Sequence, residues 1–274
     1  HIIKQIIRRL AIIALAAVIT VPSYGWGKRV HAAIAHIAEQ HLTPKAKKTV
    51  DEILDGKSMV YYGSWLDDYR KQMTIEYTND NGEVKTRTIP HSFKTDKENN
   101  VIKQENREAI SIICKSIAIL EDYKNVDDST RLAAMQCLIH LVGDIHCPAH
   151  VKYGDFDKES AYKRYDATKV IYGKNKARMH SIWDSKVIDY TTAGGVYDLA
   201  YLADRASKKE IKEIQKGTPY DWGQDVVDRT ACVWTVCEGD KLPFSYMLQH
   251  RELALDQIQR AGLRLAKVMN DLFN

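Results

Sequence analysis

Three histidines and one aspartate follow directly on an apolar helical segment in the middle of this chain. The segment "RLAAMQCLI" (Arg131–Ile139) is almost wholly apolar after its arginine, and "HLVGDIHCPAH" (His140–His150) continues it. Ionisable groups are unfavourable in a protein interior unless they are paired or bind a metal. Because His140 and Asp144 are four residues apart, they share one helix face and form a zinc-type ligand pair. The alternative for a single buried histidine is a hydrogen-bonded core residue.

A second pair with the same spacing favours the metal interpretation. The segment "MHSIWD" places His180 and Asp184 four residues apart on another predicted helix. One such H-x-x-x-D pattern arises easily by chance, whereas two in one helical chain are stronger evidence for a metal site. His150 lies in a turn just beyond Pro148, the residue that ends the first of these helices.

Three further segments carry candidate ligands. Asp67 lies in the apolar-aromatic segment "SWLDDYR"; the alternative there is a solvated helix start, which fits the neighbouring Asp68 better. His91 follows a proline in "IPHSF", on a rigid extended approach. His31 opens the first predicted helix, five residues after Trp26.

Residues 1–25 have the three-part pattern of a secretory signal peptide. Basic residues precede an apolar run from Leu10 to Val21, and the small residues Ser23 and Gly25 stand at −3 and −1 of a possible cut. The apolar run is short for a membrane span, so an uncleaved anchor is the lesser alternative. Removal of the segment takes away three cations and no acids. The exported chain is then nearly neutral, which excludes a broad basic nucleic-acid footprint and leaves phosphate attraction to a local site.

Helical periodicity dominates residues 26–274 and predicts a single all-α domain. The exception is "MTIEYTNDNGEVKTRTI", which alternates on both sides of Asn81-Gly82 and predicts a small β-hairpin insertion. Thr43 and Pro44 form a helix start with the threonine as the N-cap. The other predicted helices are Val30–Gln40, Ala109–Glu121, Arg131–His146, Met179–Tyr190 and a long last helix from about Phe244 to Phe273.

The chain has five cysteines, an odd number. Cys232 and Cys237 are a candidate disulfide pair, since export permits disulfides. Cys114 and Cys137 lie on apolar helix faces and are expected to be buried thiols. No C-x-x-C zinc motif is present.

Taken in order, these motifs resemble the secreted zinc-dependent single-strand nucleases of the S1/P1 type, which share a helical fold with zinc phospholipase C. The matching residues run the length of the exported chain. They are Trp26 with His31, "SWLD", His91, "HLVGDIHCPAH", "HSIWD" and "AGLRLA" in the last helix.

The resemblance implies a trinuclear zinc centre. Asp67, His91, His140 and Asp144 would hold one zinc ion. Asp144 would also reach a second zinc, completed by His31 and by the amine and carbonyl of Trp26 once nothing precedes it. His150, His180 and Asp184 would hold the third. His146 lies on a different helix face from His140 and is interpreted as a structural residue or one that supports the ligands.

The resemblance also implies an activity, namely cleavage of single-stranded DNA and RNA to 5′-phosphorylated products together with 3′-nucleotidase activity. Asp67 and Asp144 would be catalytic through the metal, and Arg70 would grip phosphate, although a solvated arginine is an equal alternative. The family places a base-stacking aromatic directly after the ligand histidine, where this chain has Ser92, and its Gly-Gly-Asn stretch is missing here. Phe93, Tyr69 or Tyr153 could supply a stacking face instead, and ordinary packing is the favoured alternative for each of them.

Two other functions remain possible from the sequence. One is a phospholipase C-like phosphodiesterase that acts on lipid headgroups. The other is a non-enzymatic periplasmic zinc-binding protein, which would take up metal without phosphodiester turnover. In each case the exported form is expected to act as a monomer, without a membrane-embedded segment or a stable protein partner.

Overall fold

The computed structural model describes residues 26–154, 168–234 and 236–274, so the predicted signal peptide lies outside the described residues. The all-α prediction is confirmed, with small two-stranded sheets added to a helical body. The helices are α1 (Lys28–Gln40), α2 (Pro44–Ile53), α3 (Met59–Tyr62), α4 (Trp65–Asp68), α5 (Ala109–Glu121), α6 (Asp128–Asp144), α7 (Met179–Ser181), α8 (Val187–Asp189), α9 (Val196–Ala203), α10 (Lys208–Ile214), α11 (Pro219–Thr230) and α12 (Phe244–Phe273). The strands are β1 (Thr74–Thr78), β2 (Val84–Thr88), β3 (Phe93–Lys94), β4 (Val151–Lys152), β5 (Lys169–Tyr172) and β6 (Asn175–Arg178).

Helix α12 packs along α1, and this contact organises the core. Gly262 is the point of closest approach: a Cβ atom built there would lie 2.5 Å from Cγ2 of Ile37. The glycine of "AGLRLA" therefore lets the backbones of α12 and α1 approach each other closely, which gives this residue of the motif a packing role.

The helix starts follow from capping side chains. Thr43 accepts a hydrogen bond from the backbone N–H of Ala46, which confirms the predicted N-cap. Helix α6 begins at Asp128, three residues before the predicted start, because the Asp127 carboxylate accepts from the N–H of Thr130. It ends at Asp144, so the last candidate ligand on this helix lies in its final turn.

The predicted hairpin is confirmed, and strands β1 and β2 pair antiparallel from Thr74↔Thr88 to Thr78↔Val84. Gly82 has a φ of 80°, the left-handed conformation that its turn requires. A second hairpin, β5–β6, was not predicted. Strands β3 and β4 form a short parallel pair that brings the segment after His91 beside the segment after His150.

The candidate disulfide is not formed, since both Cys232 and Cys237 are free thiols. Cys137 is buried, as predicted, and Cys114 is half-buried. Across the described ranges, no helix combines the length and apolar character needed to cross a membrane.

Candidate metal centre

The floor of the site is made where α1 crosses the end of α6. His31, His140 and Asp144 are all fully buried there. The His31 and His140 rings stack with their centroids 3.9 Å apart. Nε2 of His31 lies 3.2 Å from Oδ1 of Asp144, and Nε2 of His140 lies 3.1 Å from Oδ2 of the same carboxylate. Residues from two helices thus converge on one aspartate.

Two glycines make this convergence possible. A Cβ atom at Gly143 would lie 3.0 Å from Nδ1 of His31, so "HLVGD" needs glycine at that position. Gly63 lies against the backbone of His31, and its carbonyl accepts a hydrogen bond of 2.8 Å from Nδ1 of His140. That bond orients the imidazole so that Nε2 faces the carboxylates, as is usual for a metal-ligating histidine.

Asp67 and His91 complete the first half of the cluster. Nδ1 of His91 lies 2.7 Å from Oδ2 of Asp144 and 3.6 Å from Oδ1 of Asp67. Oδ2 of Asp67 lies 3.5 Å from Nε2 of His140. Asp67 is buried on the short helix α4, whereas Asp68 is exposed and pairs with Lys28, so the solvated residue of the two is Asp68.

The second half rests on shorter and less regular elements. His150 ends a 3₁₀ turn (Pro148–His150), and its Nδ1 donates to the carbonyl of His91. The predicted helix Met179–Tyr190 is broken into α7, a π-helical turn (Ile182–Lys186) and α8. Asp184 lies on the π turn with Oδ2 3.0 Å from Nε2 of His180, and the His150 and His180 rings are 5.1 Å apart. Such π turns are frequent at functional sites.

Trp26 lies against the same turn. Its side chain is fully buried, and the N–H of the next residue, Gly27, donates to the carbonyl of Asp184 over 2.6 Å. The start of the predicted exported chain is therefore attached to the element that carries Asp184.

The charges in the cluster are strongly perturbed. Burial alone would raise the pKa of Asp144, but His140, His150 and His31 together outweigh burial and hold that pKa well below its usual range. Burial alone would lower the pKa of His140, but Asp144 and Asp67 raise it to about 9. These two residues form an ion pair inside the protein.

The remaining ligands favour their neutral forms. Burial lowers the pKa of His31 to about 4 and that of His150 to about 3. Burial raises the pKa of Asp67 to about 7 and that of Asp184 well above its usual range. Neutral imidazoles are ready ligands, and a nearby cation would favour the ionised form of the two carboxyls.

The donor set fits zinc. Several buried nitrogen and oxygen atoms have no hydrogen-bond partner among the described residues, including Nδ1 of His31, Nε2 of His91, Nε2 of His150 and Oδ1 of Asp184. Three groups bring ligand atoms within 4.8 Å of one another: His31 with His140 and Asp144, Asp67 with His91 and His140, and Cys147 with His150 and Asp184. Imidazole and carboxylate donors at this spacing are those that zinc takes in proteins.

Sequence reasoning did not single out Cys147 as a candidate ligand, and it interpreted His146 as a structural residue or one that supports the ligands, which agrees with its contacts. Cys147 is buried beside His150 and Asp184, and its place inside "HLVGDIHCPAH" was the available signal. His146 is also buried, but its Nδ1 donates to the carbonyl of Val142 and its Nε2 accepts from Arg264 of "AGLRLA". Both ring nitrogens of His146 are thus occupied, and it supports the end of α6.

A cleft of about 400 Å³ opens onto this cluster, and Arg70, His91, His150 and His180 line it. The predicted stacking faces lie in different environments. Phe93 is fully buried and Tyr153 is 5% exposed, so neither ring presents an open face to the cleft, which agrees with ordinary packing. The ring of Tyr69 is 42% exposed and stacks on Trp65.

Comparison with known proteins agrees with this geometry. The family described as S1/P1 Nuclease matches residues 26–274. The chain is 25% identical to Endonuclease 2 of Arabidopsis thaliana, with 91% of each chain covered. It is 28% identical to Nuclease S1 of Aspergillus oryzae over 77% of this chain and 70% of the relative, and 24% identical to Nuclease P1 of Penicillium citrinum over 90% and 97%.

Proposed function

This chain belongs to the S1/P1 nuclease family, and we propose that it is a zinc-dependent hydrolase that cleaves single-stranded DNA and RNA to 5′-phosphorylated products and also removes 3′-phosphates from nucleotides. The observation that carries the proposal is the buried cluster of imidazoles and carboxylates around Asp144, with ligand atoms that have no partner, at the bottom of an open cleft. The names of Nuclease S1, Nuclease P1 and Endonuclease 2 support the same activity.

Three zinc ions would be held as the resemblance implies. Asp67, His91, His140 and Asp144 would bind the first, Trp26, His31 and Asp144 the second, and His150, His180 and Asp184 the third. The sharing of Asp144 is supported by its two oxygens, since Oδ2 faces His91 and His140 while Oδ1 faces His31 and lies 3.9 Å from His150. Zinc at such sites supplies Lewis acidity and lowers the pKa of a water molecule from about 15.7 to about 7.

Residues of the chain would bind and orient the phosphate. Arg70 lines the cleft and lies close enough to Asp67 to oppose part of the rise that burial causes in the pKa of that carboxyl. A guanidinium in that place can grip two non-bridging phosphate oxygens at once, which favours a binding role over that of a solvated arginine. Tyr69 remains the candidate for base stacking, because its ring is exposed one residue before Arg70.

We also infer that residues 1–25 are removed and that the exported chain, residues 26–274, acts as a monomer in the periplasm or outside the cell. The attachment of Gly27 to Asp184 supports a role for the new terminus at Trp26.

The experiment combines metal analysis with turnover of the processed protein on single-stranded DNA, RNA, 3′-AMP and phosphatidylcholine. His31→Gln removes a ligand, and His36→Gln on the same helix, outside the cluster, is the matched control. We expect three zinc ions and nucleic-acid cleavage in the parent and control proteins, with both reduced in His31→Gln. Turnover of phosphatidylcholine alone would support the phospholipase alternative, and zinc uptake without any turnover would support a binding protein.

A further inference from the structure

We propose that five cations around the cleft form a wall that holds phosphates of the same strand beyond the one being cleaved, so that the enzyme prefers polynucleotides to mononucleotides. This inference rests on the proposed function. The cationic wall consists of Arg87, Lys94, Arg107, Lys152 and Arg178.

The wall is assembled from separate parts of the chain around one opening. Arg87 comes from β2, Lys94 from β3, Lys152 from β4 and Arg178 from β6, and each lines the cleft that also contains His91, His150 and His180. Since the exported chain is nearly neutral, five cations at one opening are a local concentration of charge.

The acid among the described cleft-lining residues does not cancel this charge. Glu108 is buried, and its carboxyl accepts hydrogen bonds from the N–H groups of Ile110 and Ser111 and from the hydroxyl of Tyr220. Glu108 is thus held by hydrogen bonds inside the protein, and the charged side chains that line the cleft are mostly cations.

The β1–β2 hairpin is fixed to the cleft rather than projecting from it. Arg107 forms an ion pair with Asp80 at the hairpin turn, and Nη1 of Arg87 donates to the carbonyl of Arg107 over 3.4 Å. Both guanidinium groups lie over the ring of Tyr77, at 5.6 and 5.9 Å from its centroid. These contacts position Arg87 on the rim, so the hairpin contributes directly to the wall.

The chemistry of the wall matches a polynucleotide strand. A mononucleotide needs the ligand cluster and Arg70, and it has no further phosphates to place along the rim. A strand carries one negative charge per linkage, and each neutralised phosphate releases counterions. The candidate ligands lie buried at the bottom of a cleft. A single strand can enter such a cleft, whereas a flat lipid surface cannot reach its floor.

The test compares the kcat/KM values for dT20 and 3′-AMP in the zinc-loaded protein. Arg87→Gln combined with Lys94→Gln should lower the ratio of the two values about tenfold at low salt. Binding of a phosphorothioate-linked dT20, followed by fluorescence anisotropy, should lose about 0.7 from its log–log salt slope for each cation removed. The single variant Arg87→Lys, which keeps the positive charge, should retain most of the parent protein's ratio of kcat/KM values.

Arg205→Gln is the matched control, because Arg205 is exposed, pairs with Glu252 and does not line this cleft. The proposal is overturned if the double variant leaves both the ratio and the salt slope unchanged, or if the control shifts them equally. Failure of the parent protein to cleave either substrate would instead contradict the proposed function. The anisotropy measurement would still decide whether the wall binds strands.

Discussion

The two halves of the ligand cluster are built on different kinds of backbone. His31, His140 and Asp144 lie on two helices of 13 and 17 residues, and glycines set how closely those helices approach. His150 and Asp184 lie on a 3₁₀ turn and a π turn, each bounded by elements of only a few residues. Long helices packed in the core position side chains rigidly, whereas short turns depend on their neighbours for support.

The charge states of the halves differ as well. Asp144 is held ionised by His140, while burial favours the protonated form of Asp184. The first half therefore already carries an ion pair, and the second half needs a bound cation to become charged. We expect the two halves to respond differently to mutation, to chain extension and to pH.

The largest difference should come from removing one charge in each half. Asp144→Asn affects the carboxylate whose two oxygens face separate sets of histidines, and it should lose about two of three zinc ions. Asp184→Asn should lose about one. Activity should fall more than about 100-fold in Asp144→Asn, beyond the 10- to 100-fold typical of residues that only support ligands. Equal zinc loss in the two variants, by elemental analysis, would argue against a shared ligand.

The next largest effect should come from extending the chain before Trp26. A peptide nitrogen is conjugated to its carbonyl and cannot bind zinc, whereas a terminal amine, with a pKa near ~7.7–8.0, can. A form that keeps residues 1–25, or one extra residue, should bind about two zinc ions firmly and lose most of its phosphodiesterase activity. Zinc stoichiometry and single-stranded DNA cleavage are compared with the processed form. Full zinc content and full activity in the extended form would exclude the terminal amine as a ligand.

A substitution that removes no ligand should have a smaller effect, and that effect should be confined to zinc binding in the first half of the cluster. Gly143→Ala places a methyl group 3.0 Å from Nδ1 of His31, so the ring must shift, with an expected destabilisation of about 1–3 kcal/mol. Zinc should be lost from the first half only. In Gly195→Ala the new Cβ has no neighbour nearer than 3.7 Å, and this variant is the control for thermal unfolding and zinc titration. If both variants behave alike, the helix approach does not determine the site.

The smallest expected effect concerns protonation. The candidate ligands should differ in whether they release a proton when zinc binds. In the metal-free protein the pKa of His140 is about 9 and that of Asp67 about 7, so both are largely protonated at pH 6 and must release a proton to zinc. His31 and His150, with pKa values of about 4 and 3, should release none. Zinc affinity should therefore rise with pH up to about 9.

Calorimetry in two buffers of different ionisation enthalpy measures this release. It should be smaller at pH 8 than at pH 6, because Asp67 is then already ionised. Equal release at the two pH values would contradict the assigned charge states. In activity assays, the loss of rate in acid should move to lower pH when zinc is added in excess, since protons and zinc compete for the same imidazoles.

Helical periodicity and local spacing were enough to predict that His140 and Asp144 share one helix face, whereas the grouping of His31, Asp67 and His91 with them was implied by the resemblance to the nuclease family. The four-residue spacing of His140 and Asp144 survives in the structure because α6 is regular to its end. The long last helix, the Thr43 cap and the β1–β2 hairpin are also local features, and each was predicted with nearly correct bounds.

What could not be predicted depends on contacts between distant segments. The π turn at Asp184 has the same local pattern as an α-helix, so sequence alone could not indicate it. The cationic wall combines residues from strands far apart in the chain, and no spacing rule brings Arg87 near Arg178. For Phe93 the sequence left base stacking and ordinary packing open, and its pairing with Val151 places the ring in the core.

The hydrogen bond from Gly27 to Asp184 has a practical consequence for handling the protein. Trp26 is fully buried, so a purification tag joined to its nitrogen would have to emerge from the interior beside the π turn. At the other end of the chain Asn274 is exposed and contacts only the surface side chain of Thr43 among the hydrogen bonds described. If the chain is processed at Trp26 as proposed, a tag joined there would disturb the π turn that carries Asp184, whereas a tag after Asn274 would lie at the surface.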